Sequence, residues 1–180
     1  MSSTTRESLL AAATALLDAG GPEGVTLREV GRRAGVSHNA PYKHFADKQA
    51  LLAAVAAREL ADYAALLAVE GDLAATMRAY IGRALRHPDR FRLVYGPWTV
   101  DSIELARSAE EAWAALLVAV GAAQESGELP AGSPHRLANL IRSVAHGAID
   151  LALAGHLAKG DEPTTPEQVV DDFVALLHAG

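Results

Sequence analysis

The chain has 180 residues, half of them hydrophobic, no cysteine and a net charge of −6. This composition excludes an intrinsically disordered chain, and it excludes disulfides, thiolate nucleophiles and thiolate metal sites. Alanine and leucine are abundant and both are strong helix formers, so we predict an all-α fold with about nine helices.

The first two predicted helices lie near the N-terminus. One spans about residues 5–19 and carries an apolar stripe at helical spacing. The next begins at Thr26, because Thr26 and Glu29 have the spacing of a capping box, in which the hydroxyl accepts from the Glu29 amide and the glutamate reaches back. It ends at Ala34, where Gly35 permits the left-handed backbone of a tight turn.

The third predicted helix is short and covers about residues 37–45, with Ser37 as its N-cap. Pro41 lies one residue late for a helix that begins there, so we expect either a lost hydrogen bond or a shifted first turn. Asp47 then caps a long fourth helix, to about residue 69. Five more helices follow, and two of them begin with a capping residue followed by proline.

The segment over residues 25–45 has the outline of a helix-turn-helix, which by itself is common. Its letters are more specific. They read VTLREVGRRAGVS over residues 25–37, followed by Tyr42-Lys43-His44-Phe45 and by Lys48. This string resembles the DNA-binding domain of the TetR family over about residues 6–52, without a gap.

The resemblance implies two domains. Residues 1–48 are predicted to form a helix-turn-helix DNA-binding domain, and residues 49–180 a helical domain for ligand binding and dimerisation. The fourth helix, over about residues 47–69, connects them. The implied partners are double-stranded DNA, a second copy of the chain and a small-molecule effector.

The start of the third helix is predicted to read bases, since a recognition helix places its first residues at base edges in the major groove. The candidates are His38, Asn39 and Ala40. Asn39 can pair bidentately with adenine, His38 can bond a purine edge, and Ala40 or Pro41 can touch a thymine methyl. The alternative for Asn39 is a second helix cap.

A second group is predicted to hold the DNA backbone. Thr26 and the free amides that open the second helix form a candidate anion site. The resemblance implies backbone contacts from Tyr42, Lys43, His44 and Lys48, and Ser37 is a further candidate. The alternatives are ordinary solvated lysines and a tyrosine half-buried against the first helix. Phe45 is interpreted as core.

Charge is unevenly distributed along the chain. Residues 1–48 carry a net +1 and the remainder −7. A nearly neutral domain still binds DNA if its cations line one face, with strong salt dependence. Arg28 and Arg32 lie four residues apart, and pairing with nearby carboxylates is as good an interpretation as DNA contact. The N-terminus has no signal-peptide pattern and no apolar stretch is long enough for a bilayer, so we expect a soluble, cytoplasmic protein.

The segment from Tyr80 through HPDRFRL to Tyr95-Gly96-Pro97, with the pair His146-Gly147, looks like one C-terminal domain type of TetR regulators. That type often has a Trp shortly before the His-Gly pair, where this chain has Arg142 and Ser143. The resemblance therefore assigns no particular ligand. A small, mostly apolar ligand is predicted to contact Met77, Tyr80, Phe91, Tyr95, Trp98, Trp113, Leu117 and His146. The alternative is that these residues are ordinary core.

Dimerisation through the last two long helices, as a four-helix bundle, is also implied by the family. The predicted interface residues are Leu140, Val144, Gly147, Ala148, Leu151, Val170, Phe173, Val174 and Leu177. The alternative is that the last helix folds back on its own chain. Two-fold symmetry would set two recognition helices about 34 Å apart on a palindromic operator.

The sequence thus predicts a homodimeric repressor that a small ligand releases from DNA, with no cofactor, no metal and no enzymatic activity. One alternative is a DNA-binding dimer that has no effector or answers to a protein partner. A remote alternative is a metal-assisted enzyme, because His146 and Asp150 lie four apart on one helix face. No third ligand stands at a useful spacing.

Overall fold

The computed structural model describes residues 4–69, 72–159 and 161–179. Within these ranges the chain forms nine α-helices, one 3-10 turn (Pro22–Gly24) and no strand, which confirms the all-α class. The helices are α1 (Thr5–Gly20), α2 (Leu27–Arg33), α3 (Ala40–His44), α4 (Lys48–Leu67), α5 (Leu73–Arg86), α6 (Pro88–Tyr95), α7 (Ile103–Glu125), α8 (Pro134–Leu153) and α9 (Pro166–Ala179). No helix in the described ranges is long and apolar enough to cross a membrane.

Side-chain caps set several of the helix starts. Asp47 Oδ1 accepts from the Ala50 amide at 2.8 Å, as predicted for the start of α4. At the start of α9, Thr165 Oγ1 accepts from the Gln168 amide at 3.2 Å and Gln168 Oε1 accepts from the Thr165 amide at 2.8 Å. This reciprocal pair satisfies two amides that a helix start leaves without partners.

The chain divides into two compact units. The first unit contains the residues up to Ala61 together with His87–Glu110, and the second contains Asp62–Arg86 and the residues from Glu111 onward. The predicted boundary at residue 48 separates a DNA-binding domain from a ligand-binding domain by function, and it stays a prediction. The predicted domains also include residues 1–3, 70, 71, 160 and 180, which lie outside the described residues.

The core of the first unit forms beneath α1. Leu9, Leu17 and Val30 are fully buried there, and Phe45 is 4% exposed, which confirms its interpretation as core. Leu93, from α6, packs against the same cluster. Apolar burial of this kind is the main favourable term in folding, so the helix-turn-helix and α6 share one source of stability.

An ion-pair network also links three helices of this unit. Arg90 Nε, on α6, donates to Asp18 Oδ1 on α1 at 2.7 Å. The Arg90 guanidinium also lies 3.6 Å from Glu59 Oε2 on α4, and Glu59 is buried. The hydrogen bond from Arg90 lowers the pKa of Asp18, against the opposing effect of partial burial. One guanidinium therefore balances two carboxylates.

In the second unit, α8 packs against α5 and α9 through one face. Ile141, Ala145 and Ile149 are fully buried on that face of α8. A face that is buried within the unit is unavailable to a second copy of the chain.

This packing corrects part of the predicted dimer interface. Ala148, Val170 and Val174 are 3%, 1% and 7% exposed, so they belong to the core of the chain itself. They belong to the apolar stripes of the last two long helices, but packing within the unit leaves little of their surface exposed.

The connection between α7 and α8 supports the start of α5. The Glu128 carboxylate accepts hydrogen bonds from the Leu73 and Ala74 amides at 3.0 and 3.1 Å. Leu129 beside it is 2% exposed. The Gln124 side-chain amide donates to the Pro130 carbonyl at 2.8 Å, which fixes the path of this connection.

Candidate nucleic-acid interface

The interface begins at the N-cap of α2. Thr26 Oγ1 accepts from the Glu29 amide at 3.2 Å, as predicted. The return half of the capping box is replaced, because the Glu29 carboxylate accepts from Arg32 Nε and Nη2 at 2.9 and 2.6 Å. That hydrogen bond, with the charges of Arg32, Arg33 and Arg28, lowers the pKa of Glu29. The ambiguity over Arg32 is resolved in favour of an ion pair.

The turn between α2 and α3 depends on two glycines. Gly35 has a φ of +68°, the left-handed conformation predicted for it. The Val36 amide donates to the Gly31 carbonyl at 3.1 Å, which closes the turn. Gly31 is buried, and a Cβ placed on it would lie 2.8 Å from Pro41 Cγ, so the two helices touch at this point.

Helix α3 begins at Ala40, three residues later than predicted. The reason is Pro41, which becomes the second helical residue, where its missing amide hydrogen costs nothing. The Ala40 amide donates to the Ser37 carbonyl at 2.9 Å, so the predicted first turn is a separate turn. Asn39 stands at the N-cap position, but its side chain forms no capping hydrogen bond. The Asn39 side chain therefore does not cap α3.

Pro41 requires a correction. The sequence suggested that Pro41 touches a thymine methyl, whereas the structure buries it against Gly31. The Pro41 ring packs between α2 and α3 and is buried there, so it is not accessible to a base.

The other predicted DNA-contacting residues lie at the surface, and none of them is buried. They are Thr26, Ser37, His38, Asn39, Tyr42, Lys43 and His44, which are exposed, and Ala40 and Lys48, which are half-buried. Tyr42 is 52% exposed, which leaves about half of its surface accessible. The centroids of the Tyr42 and His38 rings lie 6.1 Å apart, so a predicted backbone contact and a predicted base contact are neighbours at the start of α3. Their contacts with DNA stay a prediction.

A cleft of about 480 Å3 lies beside α2. Its lining residues are Thr26, Arg28, Glu29, Arg32, Val36 and His38. Arg28 and Arg33 form no ion pair within the described part of the chain, unlike Arg32. The sequence left Arg28 undecided because the partner of a surface arginine depends on the rotamers of neighbouring side chains.

Lys48, at the first position of α4, lies near an acidic side chain. Its Nζ is 3.7 Å from Glu23 Oε2, and the Glu23 side chain is 98% exposed. Such an exposed pair is weak. A DNA phosphate competes readily with Glu23 for this ammonium group, so the geometry is compatible with the predicted role.

The predicted ligand residues fall in both compact units. Met77, Tyr80, Trp113, Leu117 and His146 belong to the second unit, and Phe91, Tyr95 and Trp98 to the first. Met77, Tyr80 and Phe91 are buried. Trp98 packs against the core of the helix-turn-helix, as Leu93 does. A shared role in ligand binding stays a prediction.

Within the second unit, Tyr80 and His146 form a hydrogen-bonded pair. His146 Nδ1 lies 2.7 Å from the Arg142 carbonyl, and His146 Nε2 lies 3.2 Å from the Tyr80 hydroxyl. Because a carbonyl only accepts, Nδ1 carries the hydrogen, and Nε2 of the neutral ring accepts from Tyr80. Burial lowers the pKa of His146, which favours this neutral form.

The remote enzymatic alternative rested on His146 and Asp150. Both ring nitrogens of His146 are engaged within the chain, and Asp150 is exposed. In the described ranges, no three histidine, aspartate or glutamate side chains come together in a group that could hold a metal ion.

Two family models match the chain. Residues 9–55 match the model described as bacterial regulatory proteins, tetR family. Residues 73–177 match the model described as Tetracyclin repressor-like, C-terminal domain. The chain belongs to the TetR family. It is therefore a DNA-binding transcriptional regulator and not an enzyme, and the helix-turn-helix is its DNA-binding element.

Individual relatives agree with this assignment. An uncharacterised HTH-type transcriptional regulator of Mycobacterium tuberculosis is 29% identical over 153 residues, which cover 80% of this chain and 79% of the relative. The structure of a protein of unknown function from Rhodococcus sp. RHA1 matches with a TM-score of 0.82 and 30% identity, over 99% of this chain and 96% of that one. SmeT, the repressor of the Stenotrophomonas maltophilia multidrug efflux pump SmeDEF, matches with a TM-score of 0.59 and 25% identity, over 84% of this chain and 79% of SmeT.

Proposed function

We propose that this TetR-family regulator is a homodimeric repressor that binds a palindromic operator and is released by a small, mostly apolar ligand. The observation that carries the proposal is an apolar stripe on the outer face of α8. Leu140 and Leu151 are each 46% exposed there, with Val144 half-buried and Gly147 exposed between them. Positions 140, 144, 147 and 151 follow one helical face.

Helix α9, which packs on α8, also has accessible apolar side chains. Leu176, which is not among the predicted interface residues, is 72% exposed, and Phe173 and Leu177 are half-buried. Contiguous exposed apolar side chains on a soluble domain mark an interaction site. A second copy related by a two-fold axis presents the same stripe and buries both, and Gly147 lets the two α8 helices approach closely.

Two-fold symmetry then determines the form of the operator. Each subunit contributes one exposed α3 start, and a dimer binds two half-sites about one helical turn, or 34 Å, apart. His38 and Asn39 would read bases, while Tyr42, Lys43 and Lys48 would hold phosphates. Repression is supported by analogy with SmeT, which is described as a repressor.

Ligand release is supported by the chemistry of the second unit. Tyr80 and His146 offer polar atoms in the same unit as Met77, Trp113 and Leu117, a combination that suits an apolar ligand with one polar group. Helix α4 contains residues of both compact units, so a ligand that displaces it alters the DNA-binding element as well. The ligand must prefer the non-binding state by several kcal/mol for a near-complete switch.

One observation favours the alternative of a dimer without a small-molecule effector. Tyr80 and His146 already satisfy each other, and the Arg142 carbonyl takes the remaining ring nitrogen. A ligand must then break an internal hydrogen bond in order to gain one.

The first experiment is selection of bound duplexes from random DNA, followed by titration of the best site. A palindrome with half-sites about one helical turn apart, whose binding is lost on Tyr42→Ala or Lys43→Ala, supports the dimeric repressor. Lys159→Ala removes the same charge far along the sequence from the helix-turn-helix and should leave affinity unchanged. A single unpaired half-site, or no enriched motif at low salt, contradicts the proposal.

A further inference from the structure

Arg142, on α8, is a cation that is held in place without a carboxylate partner among the described residues. Its guanidinium carbon lies 4.9 Å from the centroid of the Trp113 ring, on α7. Its Nη2 donates to Asn139 Oδ1 at 2.9 Å. Two other arginines of the same unit, Arg78 and Arg83, each pair with an aspartate. Arg142 is therefore oriented but not neutralised.

The orientation matters because a guanidinium recognises anions through a planar fork. Arginine has five N–H donors, and the bond to Asn139 uses one of them. The contact with the Trp113 ring and the bond to Asn139 restrict the guanidinium, so less side-chain freedom is lost when an anion binds. A carboxylate accepts two parallel hydrogen bonds from such a fork.

The surroundings of this cation favour a ligand with an apolar body. Trp113 is half-buried and keeps part of its ring accessible, and Leu117, also half-buried, lies one helical turn further along α7. The His135 ring lies 6.0 Å from Trp113 on the other helix. Aromatic and aliphatic surface next to a cation matches a small molecule that carries one anionic group on an apolar frame.

The charge of the chain limits how many anionic groups the ligand carries. Residues 49–180 have a net charge of −7. This net negative charge repels a multiply charged anion more strongly than a single carboxylate, which gains the local contact with Arg142. The expected ligand is therefore a monocarboxylate.

Arg142 also adjoins the pair Tyr80 and His146. Its carbonyl accepts from His146 Nδ1, and its charge is one of the influences that lower the pKa of His146, after burial. The guanidinium is thus close enough for its charge to act on the residues proposed for effector binding.

We propose that Arg142 and Trp113 form a binding site for small apolar or aromatic monocarboxylates. The carboxylate accepts from the free N–H groups of Arg142, and the apolar body lies against Trp113 and Leu117. The inference rests on the proposed effector site, to which Trp113 and Leu117 belong, and it adds an anionic group to the expected effector.

The first arm of the test measures whether anions gather at this site. The full-length Trp98→Phe protein contains a single indole, Trp113. Its fluorescence is quenched with iodide, an anion, and with neutral acrylamide at constant ionic strength. Arg142→Gln should lower iodide quenching about two- to fivefold and leave acrylamide quenching unchanged, since a unit charge a few ångströms away has an effect of that order in water. Arg136→Gln, on the same helix, is the matched control.

The second arm measures the ligand class with benzoate and its neutral analogue benzamide. Benzoate should change Trp113 fluorescence to saturation in the Trp98→Phe and Trp98→Phe/Arg136→Gln proteins, and Arg142→Gln should abolish that change. Benzamide should have no saturable effect. Equal iodide quenching in the Arg142→Gln and Arg136→Gln proteins overturns the site. Iodide selectivity without saturation by benzoate overturns its assignment to carboxylates.

Operator binding separates this inference from the proposed function. Benzoate that saturates Trp113 and also weakens operator binding supports both. Benzoate that saturates Trp113 and leaves operator binding unchanged supports the carboxylate site and counts against its role in release.

Discussion

Pro41 of α3 packs directly on Gly31 of α2, so that a Cβ on Gly31 would lie 2.8 Å from Pro41 Cγ. A proline ring on a short helix has little freedom to move aside. Gly31→Ala should therefore force α2 and α3 apart and lower the free energy of unfolding by about 1–3 kcal/mol, the usual cost of overpacking, offset by up to about 1 kcal/mol of helix propensity.

The control for this change is Gly121→Ala in α7, where no atom lies within 4 Å of the added Cβ. That substitution should stabilise the protein slightly. Thermal unfolding and operator titration measure both variants. Gly31→Ala with unchanged operator affinity would show that the spacing of the two helices does not govern DNA binding.

Lys48→Ala should weaken binding to all DNA sequences alike. Loss of one phosphate contact reduces the slope of log affinity against log salt by about 0.9. The neighbour Glu23, 3.7 Å from the Lys48 ammonium, provides the opposite change. Glu23→Gln should leave the slope intact and raise affinity modestly, because a competing anion is removed. A change in base preference with the salt slope unaltered would contradict this role for Lys48.

The double substitution Leu140→Glu and Leu151→Glu should convert the proposed dimer to monomers. It places four carboxylates across a two-fold interface, where buried unpaired charge is costly. Sedimentation equilibrium measures the result, and operator affinity should fall with the loss of the second half-site. Val118→Glu on α7 alters a side chain that is 72% exposed and serves as the control. If the Val118→Glu protein dissociates and the Leu140→Glu/Leu151→Glu protein remains a dimer, the dimer interface does not lie on α8.

His146 should make stability depend on pH in the mildly acidic range. Burial lowers its pKa in the folded protein below the ordinary value of 6.5, so the unfolded chain binds more protons there. The contribution is fully present above pH 6.5 and is lost as the pH falls through the lowered pKa, with a slope of at most about 1.4 kcal/mol per pH unit.

His146→Gln should remove this dependence, since glutamine can accept from Tyr80 without titrating. Chemical denaturation at a series of pH values measures it, with the exposed His135→Gln as control. If the pH dependence of stability persists in His146→Gln and disappears in His135→Gln, His135 causes it and the prediction is wrong.

Asp18→Asn should lower the free energy of unfolding by about 1–3 kcal/mol at neutral pH, between the values for surface and buried pairs. Because Arg90 lowers the folded-state pKa of Asp18, this contribution is present above the unfolded value of 3.8 and is lost as the pH falls through the lower folded value. The difference between the wild type and Asp18→Asn should therefore shrink in acid. The control is Asp89→Asn: its carboxylate lies 3.9 Å from the Arg92 guanidinium, too far for a hydrogen bond, so this change should cost less than about 0.5 kcal/mol.

Local signals in the sequence predicted much of the fold. Caps at Asp47 and Thr165 and the left-handed Gly35 depend on residues within three positions of one another, and the structure has them. The helix-turn-helix also follows from local letters. The predicted start of α3 was wrong. Ser37 is a favourable N-cap, but Pro41 is favoured in the first turn of a helix, and the helix begins at Ala40.

Contacts between distant residues could not be predicted in the same way. Periodicity identified an apolar face on α8 but not which of its members the chain itself covers, so Ala148 was misassigned and Leu176 on α9 was missed. Glu29 had two local partners within reach, the Thr26 amide and Arg32, and the charged partner prevailed. The stacking of Arg142 on Trp113 joins residues on different helices, for which a single sequence has no signal.

The connection that follows α7 is less dispensable than its exposed residues suggest. Glu128 supplies acceptors to the first two amides of α5, from a position 55 residues further along the chain. Leu129 anchors that carboxylate by its burial. Lengthening this connection, for example to insert a fluorescent reporter, would therefore fray the start of α5. Although this connection is largely exposed, the hydrogen bonds of the Glu128 carboxylate limit the insertions that it tolerates.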